Sequence, residues 1–152
     1  KLSAIPEGAG APVWSPDGTR LVSVVRTGGE EQGSTQKSHK PKTPRARLIT
    51  VLKYRYNGEG FTYDRRRHLL VIDAASGETR QLTQGDWDDT QPAWSPDSRR
   101  LAFVSARHAD RDYDRATDIF VVDAEGGEPV RVTPGDGVSA LPAWSPDGRS
   151  IA

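Results

Sequence analysis

Apolar residues in this chain come in short runs rich in β-branched and aromatic side chains, separated by Pro, Gly, Asp and Ser. Leu69-Leu70-Val71-Ile72-Asp73 is one such run, and Ile119-Phe120-Val121-Val122-Asp123 is another. Such runs, bounded by turn residues, predict strands rather than helices. The two quoted runs coincide at an offset of 50 positions (Leu69 onto Ile119), and the match continues well beyond them. Gly77-Glu78 falls on Gly127-Glu128, Leu82-Thr83 on Val132-Thr133 and Gly85-Asp86 on Gly135-Asp136, without a gap from His68 to Trp94.

A turn motif, Pro-x-Trp-Ser-Pro-Asp, punctuates the pattern at 12–17, 92–97 and 142–147. In the middle copy each segment has an expected role. Residues 93–95 form a brief first strand, 96–99 a turn, 100–106 a second strand, 118–123 a third and 130–133 a fourth. Pro is preset for the second position of the turn, and Asp can bond its own backbone. Glu125-Gly126-Gly127-Glu128 closes a hairpin, since Gly supplies positive φ at no steric cost. Ser98 stands where the other copies have Gly18 and Gly148, which implies a turn that does not demand positive φ.

Four antiparallel strands per 40–50 residues with a recurring Trp turn describe a propeller blade. The fold class is therefore all-β, a partial β-propeller. One blade spans about 14–83 and carries an insert at about 26–67. The next spans about 93–133, and parts of two neighbours lie at 1–3 and 142–152. The repeated Trp is expected to pack between neighbouring blades rather than to cage a ligand. Open sheet edges invite pairing with other chains, and residues beyond both ends are expected in the native protein.

The first two Trp turns are 80 residues apart (14 to 94) and the last two 50 (94 to 144), so the first blade carries about thirty extra residues. The stretch 28–44 is polar, rich in Gly, Pro and Lys, and reads as a mobile loop. Over 47–56, Leu48, Thr50, Leu52, Tyr54 and Tyr56 alternate with Ile49, Val51, Lys53 and Arg55. Asn57-Gly58-Glu59-Gly60 then signals a turn and 61–67 returns. A projecting hairpin arm follows, with Tyr54, Tyr56, Phe61 and Tyr63 near its tip.

Charge sharpens the contrast between insert and frame. The chain has 21 Lys+Arg against 21 Asp+Glu. Residues 26–67 hold eleven Lys/Arg and four Asp/Glu, leaving ten against seventeen elsewhere. Basic residues interleaved with aromatics could meet single-stranded nucleic acid. With no recognition motif beside them, a hairpin that packs on a partner domain or subunit is the favoured reading. No nucleic acid or membrane partner is expected. There is no Cys, which suits a reducing compartment, and no Met even at position 1. No apolar run is long enough to cross a membrane, and no signal peptide is expected at the start of this stretch.

Candidate chemistry is sparse. The nucleophile elbow Gly-x-Ser-x-Gly is missing from this stretch. His39 falls in the polar loop, His68 at a strand start aligned with Asp118, and His108 in a loop. Asp110-Arg111-Asp112-Tyr113-Asp114 has the first acidic positions of a Ca²⁺ loop, but Arg115 stands where Gly is needed and Val121 where Glu is needed. Asp86-Trp87-Asp88-Asp89 reads as a blade corner. No catalytic residue, metal site or cofactor is expected.

The run Asp88-Asp89-Thr-Gln-Pro-Ala-Trp-Ser-Pro-Asp with Arg99-Arg100-Leu-Ala-Phe-Val-Ser-Ala-Arg resembles the amino-terminal propeller of prolyl oligopeptidase family serine peptidases, closest to the bacterial acylaminoacyl-peptidase-like branch. Similar turns occur in Tol-type propellers that bind protein partners. The stretch from Tyr54-Arg-Tyr-Asn-Gly-Glu-Gly-Phe through Arg65-Arg66-Arg67-His68-Leu-Leu-Val-Ile-Asp73 is similar to the insert-bearing blade of the peptidase branch. The resemblance implies a parent in which the propeller gates peptide substrate for an α/β-hydrolase domain outside this chain, and the cysteine-free composition points to a cytoplasmic setting. The resemblance implies no cofactor. On the propeller side, Arg65, Arg66 and Arg67 are the candidates to meet a peptide carboxylate, and the hairpin is a candidate surface for homo-oligomerisation.

Overall fold

The computed structural model describes residues 5, 8–28, 48–58 and 60–152. Ten strands follow one another: β1 Val13–Trp14, β2 Arg20–Gly28, β3 Arg55–Tyr56, β4 Gly60–Phe61, β5 Arg65–Asp73, β6 Thr79–Gln81, β7 Asp89–Trp94, β8 Arg100–Ser105, β9 Asp118–Asp123 and β10 Val130–Arg131. They build two four-stranded antiparallel sheets, ordered β1-β2-β5-β6 and β7-β8-β9-β10, and one two-stranded hairpin β3-β4. Each large sheet is one blade. A third begins at the isolated bridge Trp144↔Ile151.

Strand alternation places the core. In β8, Leu101 and Phe103 face the first blade and join Val22, Leu69, Val71, Trp94, Phe120 and Val122 in one buried cluster. Ala102 and Val104 point to the opposite face, where they pack with Ile119, Val121, Trp144 and Ile151 toward the third blade. Successive side chains leave a strand on opposite sides, so a blade between two others is apolar on both faces. This is why 101–104 reads as an unbroken apolar run.

The three Trp turns share one hydrogen-bond pattern. Ser15, Ser95 and Ser145 each donate Oγ–H to the Asp two residues on, at 2.6 Å. Each Ser Oγ also accepts the backbone N–H five residues on, and each Asp accepts the N–H two residues on. These donors stabilise the carboxylates. Ser15 first and then Thr19 hold Asp17 down to about 2, and Asp97 and Asp147 are lowered in the same way.

Ser98 departs from the expectation. Its φ is 60°, beside 71° at Gly18 and 68° at Gly148, so all three turns use the left-handed region. Ser is tolerated there because the turn is otherwise fully bonded. Ser98 Oγ also accepts the Asp17 N–H across the blade seam at 3.1 Å.

Several strand boundaries differ from the sequence expectation; β10 stops at Arg131 and β8 at Ser105, and three differences matter more. β7 begins at Asp89, ahead of the expected 93–95, and contains a bulge between Thr90 and Ala93 where Gln91 has φ 52°. The Gln91 side chain accepts the N–H of Leu141, its own repeat equivalent, at 2.7 Å. β2 and β5 pair out to Gly28↔Arg65, so strand pairing extends into the expected insert from both sides. The alternating stretch 48–54 forms no strand, because the N–H groups of Leu52 and Lys53 are taken by a carboxylate of the second blade. The rest of the polar loop and the preceding-blade strand at 1–3 lie outside the described residues. No helix among the described residues is long and apolar enough to cross a membrane.

Candidate functional site

One end of the two blades gathers the N-terminus of β7, the β8–β9 loop, the β6–β7 connection and the insert. A buried hub underlies it. Asp89, fully shielded from solvent, lies 3.1 Å from His68 Nδ1 and 2.9 Å from Arg107 Nη2. Burial alone would push its carboxyl up. The hydrogen bonds from His68 and Thr83, with the Arg107 charge and Ser105, outweigh it and hold the pKa below the usual carboxylate value. Thr83 Oγ1 meanwhile accepts the Leu69 N–H at 3.0 Å. The hub therefore ties the first blade (His68, Thr83) to the second (Asp89, Ser105, Arg107). The Arg107 guanidinium lies 5.0 Å from the Trp87 ring and 4.9 Å from that of Phe120, covering its charge with aromatic faces.

Although Ser105, His68 and Asp89 are the residue types of a hydrolytic triad, all three are buried. Ser105 Oγ donates to the Asp88 carbonyl at 3.2 Å. A substrate has no access to them, and their bonding is that of a brace. In the next blade Asp118 replaces His68 and takes Thr133 Oγ1 at 2.7 Å and Arg131 at 3.6 Å. The position thus carries an inter-strand polar link with interchangeable chemistry.

Above the hub lies a cleft of about 230 Å³, lined by Lys53 and Tyr56 of the insert, Arg66 and Arg67 of β5, and Trp87 and Thr90 at the blade seam. Asp86 bridges the seam. One oxygen takes Arg66 at 2.8 Å and the other Arg111 at 2.9 Å. The insert crosses to the second blade at Asp112, which accepts the N–H of Leu52 at 2.5 Å and of Lys53 at 2.9 Å. Lys53 Nζ returns the contact by donating to the carbonyls of Arg111 and Asp114. Those two N–H groups, Leu52 first, hold the Asp112 carboxyl below its usual range. Asp114 is occupied with His108, 2.9 Å away. Asp112 and Asp114 therefore serve different partners, and no group of three potential metal ligands occurs among the described residues.

The three candidate arginines do not converge. Arg66 points to Asp86, on the cleft side. Arg67 also borders the cleft, and its backbone N–H donates to Asp88 Oδ1 at 2.7 Å. Arg65 turns back on the insert, donating to the Phe61 carbonyl at 2.7 Å. Tyr54, Phe61 and Tyr63 gather beside it, with ring centroids 6.1 and 6.4 Å apart in sequence. Lys53, Asp86, Arg107, Arg111 and Asp112 complete the site. Sequence alone marked Asp112 only as part of an acidic loop, because its partners are backbone groups some sixty positions away.

The profile of the TolB β-propeller domain, PD40, matches residues 60–152. The chain belongs to the TolB β-propeller family. Among curated relatives it is 32% identical over 103 residues to the uncharacterized peptidase YuxL of Bacillus subtilis (strain 168), covering 68% of this chain and 16% of that protein. It is 31% identical over 102 residues to a TolB homolog of Chlorobium chlorochromatii (strain CaD3), covering 63% of this chain and 23% of that one. The chain thus spans less than a quarter of either relative. Two solved structures share the fold. TolB from Acinetobacter baumannii matches 99% of this chain and 27% of its own, with TM-score 0.56 at 18% identity. The acylaminoacyl peptidase of Pyrococcus horikoshii matches 90% of this chain and 19% of its own, with TM-score 0.54 at 16% identity. This propeller is one that peptidase-family and TolB proteins have in common.

Proposed function

We propose that the chain is the propeller portion of a serine peptidase of the oligopeptidase or acylaminoacyl-peptidase type. It gates and positions peptide for an α/β-hydrolase domain outside the chain. The observation that carries this reading is the insert-bearing first blade, whose excursion crosses to the second blade over a cleft bordered by Arg66 and Arg67. Sequence likeness to a peptidase across 103 residues supports it. In this reading Arg66 and Arg67 supply the positive charge that meets a peptide carboxylate. The cysteine-free composition suits a cytoplasmic setting.

The test is labelling of the full-length protein with a fluorophosphonate probe, followed by hydrolysis of short peptides against a folded protein of the same sequence content. Serine labelling with cleavage of the short peptides alone is the expected result. Folded protein that takes no label would instead favour a TolB-type interaction module. That second reading draws on the similarity to the TolB homolog.

A further inference from the structure

We propose that Arg66 and Arg111 form a clamp for the free α-carboxylate of a short peptide ending in an apolar residue, and that the Asp86 side chain fills this clamp as a competitor until such a ligand displaces it. The inference rests on the peptide reading above and names the end of the peptide that the cleft takes.

The clamp is built from two blades. Arg66 of β5 donates Nε–H to Asp86 Oδ1 at 2.9 Å, and its Nη2 lies 2.8 Å from the same oxygen. Arg111, in the β8–β9 loop, donates from Nη2 to Oδ2 at 2.9 Å. One carboxylate thus lies between two guanidiniums, the geometry of charge-assisted carboxylate recognition. The partners differ in how firmly they are placed. The Arg66 and Arg111 side chains are 16% and 30% exposed, against 60% for Asp86. Arg111 is also fixed by main chain, through its Nε to the Asp86 carbonyl at 3.2 Å and its Nη1 to that of His108 at 3.4 Å. It therefore stays aimed at the seam when the Asp86 carboxylate swings out to water. Such an exposed carboxylate is retained only by an ion pair of surface strength.

The repeat separates scaffold from addition. At the offset of 50, Gly85-Asp86 recurs as Gly135-Asp136, but Arg66 falls on Ala116, Arg67 on Thr117 and Trp87 on Gly137. The Asp belongs to the blade, whereas the cations and the indole around it are additions that the next unit lacks. Side chains laid on a repeated scaffold without recurring with it mark a grafted site. Arg66 and Arg111 both line the cleft of about 230 Å³, together with Val51, Tyr56, Trp87 and Val104. Ligand pockets usually measure about 300–1,000 Å³, so this one takes a single apolar side chain, with its carboxylate end at the arginines.

The other role open to Asp86 is that of a permanent brace across the seam, and the two roles predict opposite signs. The full-length protein is titrated with N-acetyl-leucine and with N-acetyl-leucinamide by ligand-observed NMR, after a thermal scan has shown each variant to be folded. For a clamp, wild type binds the acid at least fivefold more tightly than the amide, and Arg66→Gln or Arg111→Gln erases the difference. Asp86→Ala removes the competitor, so it tightens the acid at least threefold and leaves the amide unchanged. Asp86→Asn, which keeps the side chain's size, shifts the acid in the same direction. A brace gives the reverse, because its loss loosens both arginines. Asp86→Ala that binds the acid no better than wild type overturns the proposal, as does equal binding of acid and amide, or no binding of the acid by any form. The titration needs no hydrolysis. A protein that takes the fluorophosphonate label but gains nothing from Asp86→Ala loses this inference alone, and an unlabelled protein that gains affinity keeps the clamp and loses the peptidase reading.

Discussion

The indole N–H of Trp94 donates to the backbone carbonyl of Val13 in the preceding blade, 3.1 Å away. Trp144 repeats the bond on Ala93 at the same distance. Over each indole sits an Arg from the preceding blade, Arg20 at 5.3 Å from Trp94 and Arg100 at 4.7 Å from Trp144. The same Arg donates to a turn carbonyl of the following blade, that of Ser98 or Gly148. The recurring Trp is therefore a hook between blades as well as a core side chain, and the seam is built the same way twice.

Truncating that hook separates its two roles. Trp94→Ala should destabilise the propeller by about 3–5 kcal/mol through lost burial and the cavity left behind. Trp94→Phe keeps much of the apolar volume but leaves the Val13 carbonyl without its donor, adding about 1–3 kcal/mol for the unsatisfied group. Denaturant titration of the full-length protein, monitored in the propeller, distinguishes the two. Equal losses for Phe and Ala would mean the hydrogen bond dominates over packing.

Asp89 makes the acid limb of stability a readout of the seam. Its carboxyl is held below the usual value of 3.8 in the fold. The contribution is fully present above the unfolded value and disappears as pH falls through the lower folded one. Wild type should therefore lose stability steeply below about pH 4, where an unfolded Asp takes up its proton. Asp89→Asn removes this carboxyl's share of that dependence, while Asp17, Asp97, Asp112 and Asp147, also held below the usual value, keep theirs. It also leaves the half-buried Arg107 charge without its fully buried counter-ion, so near neutral pH it should cost about 2–4 kcal/mol. A variant whose acid limb is as steep as wild type would assign that limb to other carboxylates.

The blades were legible because their information is local. Turn chemistry at 14–18 and 94–98 and short apolar runs recur at matching positions, and strand alternation converts them directly into faces. β9 came out at its expected bounds, Asp118–Asp123. The site was less legible because its contacts join positions far apart through groups the side-chain pattern does not encode. Asp112 meets backbone N–H groups of Leu52 and Lys53, and Asp86 gathers Arg66 and Arg111 from different blades. The alternation continues to Tyr56, where Arg55–Tyr56 does pair as β3, but over 48–54 a strand also needs a neighbour to accept its N–H groups. Here a carboxylate took them first.

Gly85 tests how tightly the corner beneath the cleft is packed. Its φ is 123°, and a Cβ there would stand 2.4 Å from Trp87 Cζ2. Gly85→Ala therefore combines a backbone conformation reserved for Gly with a steric clash, and about 2–4 kcal/mol of destabilisation is expected. Because Trp87 carries the Arg107 guanidinium on its ring, the displaced indole should also change its fluorescence before global unfolding. A variant as stable as wild type would show that the corner can relax freely.

Ser98 offers the closest balance of opposing effects. A left-handed conformation costs an L-residue about 1–2 kcal/mol relative to Gly. Against that, Ser98 Oγ accepts the Asp17 N–H across the seam, a bond worth about 0.5–1.5 kcal/mol net. Ser98→Gly relieves the first and forfeits the second, so its stability should lie within about 1 kcal/mol of wild type. Ser98→Ala keeps the strained φ and loses the acceptor, leaving the Asp17 N–H without it, and should cost about 1–2 kcal/mol. The ordering is the discriminating quantity, because both variants remove the same hydroxyl. If Ala and Gly are equally destabilising, the seam bond accounts for the effect and the backbone strain is negligible. If Gly is clearly more stable than wild type, the strain exceeds the bond, and Ser at this position sacrifices stability that Gly18 and Gly148 retain in the neighbouring turns.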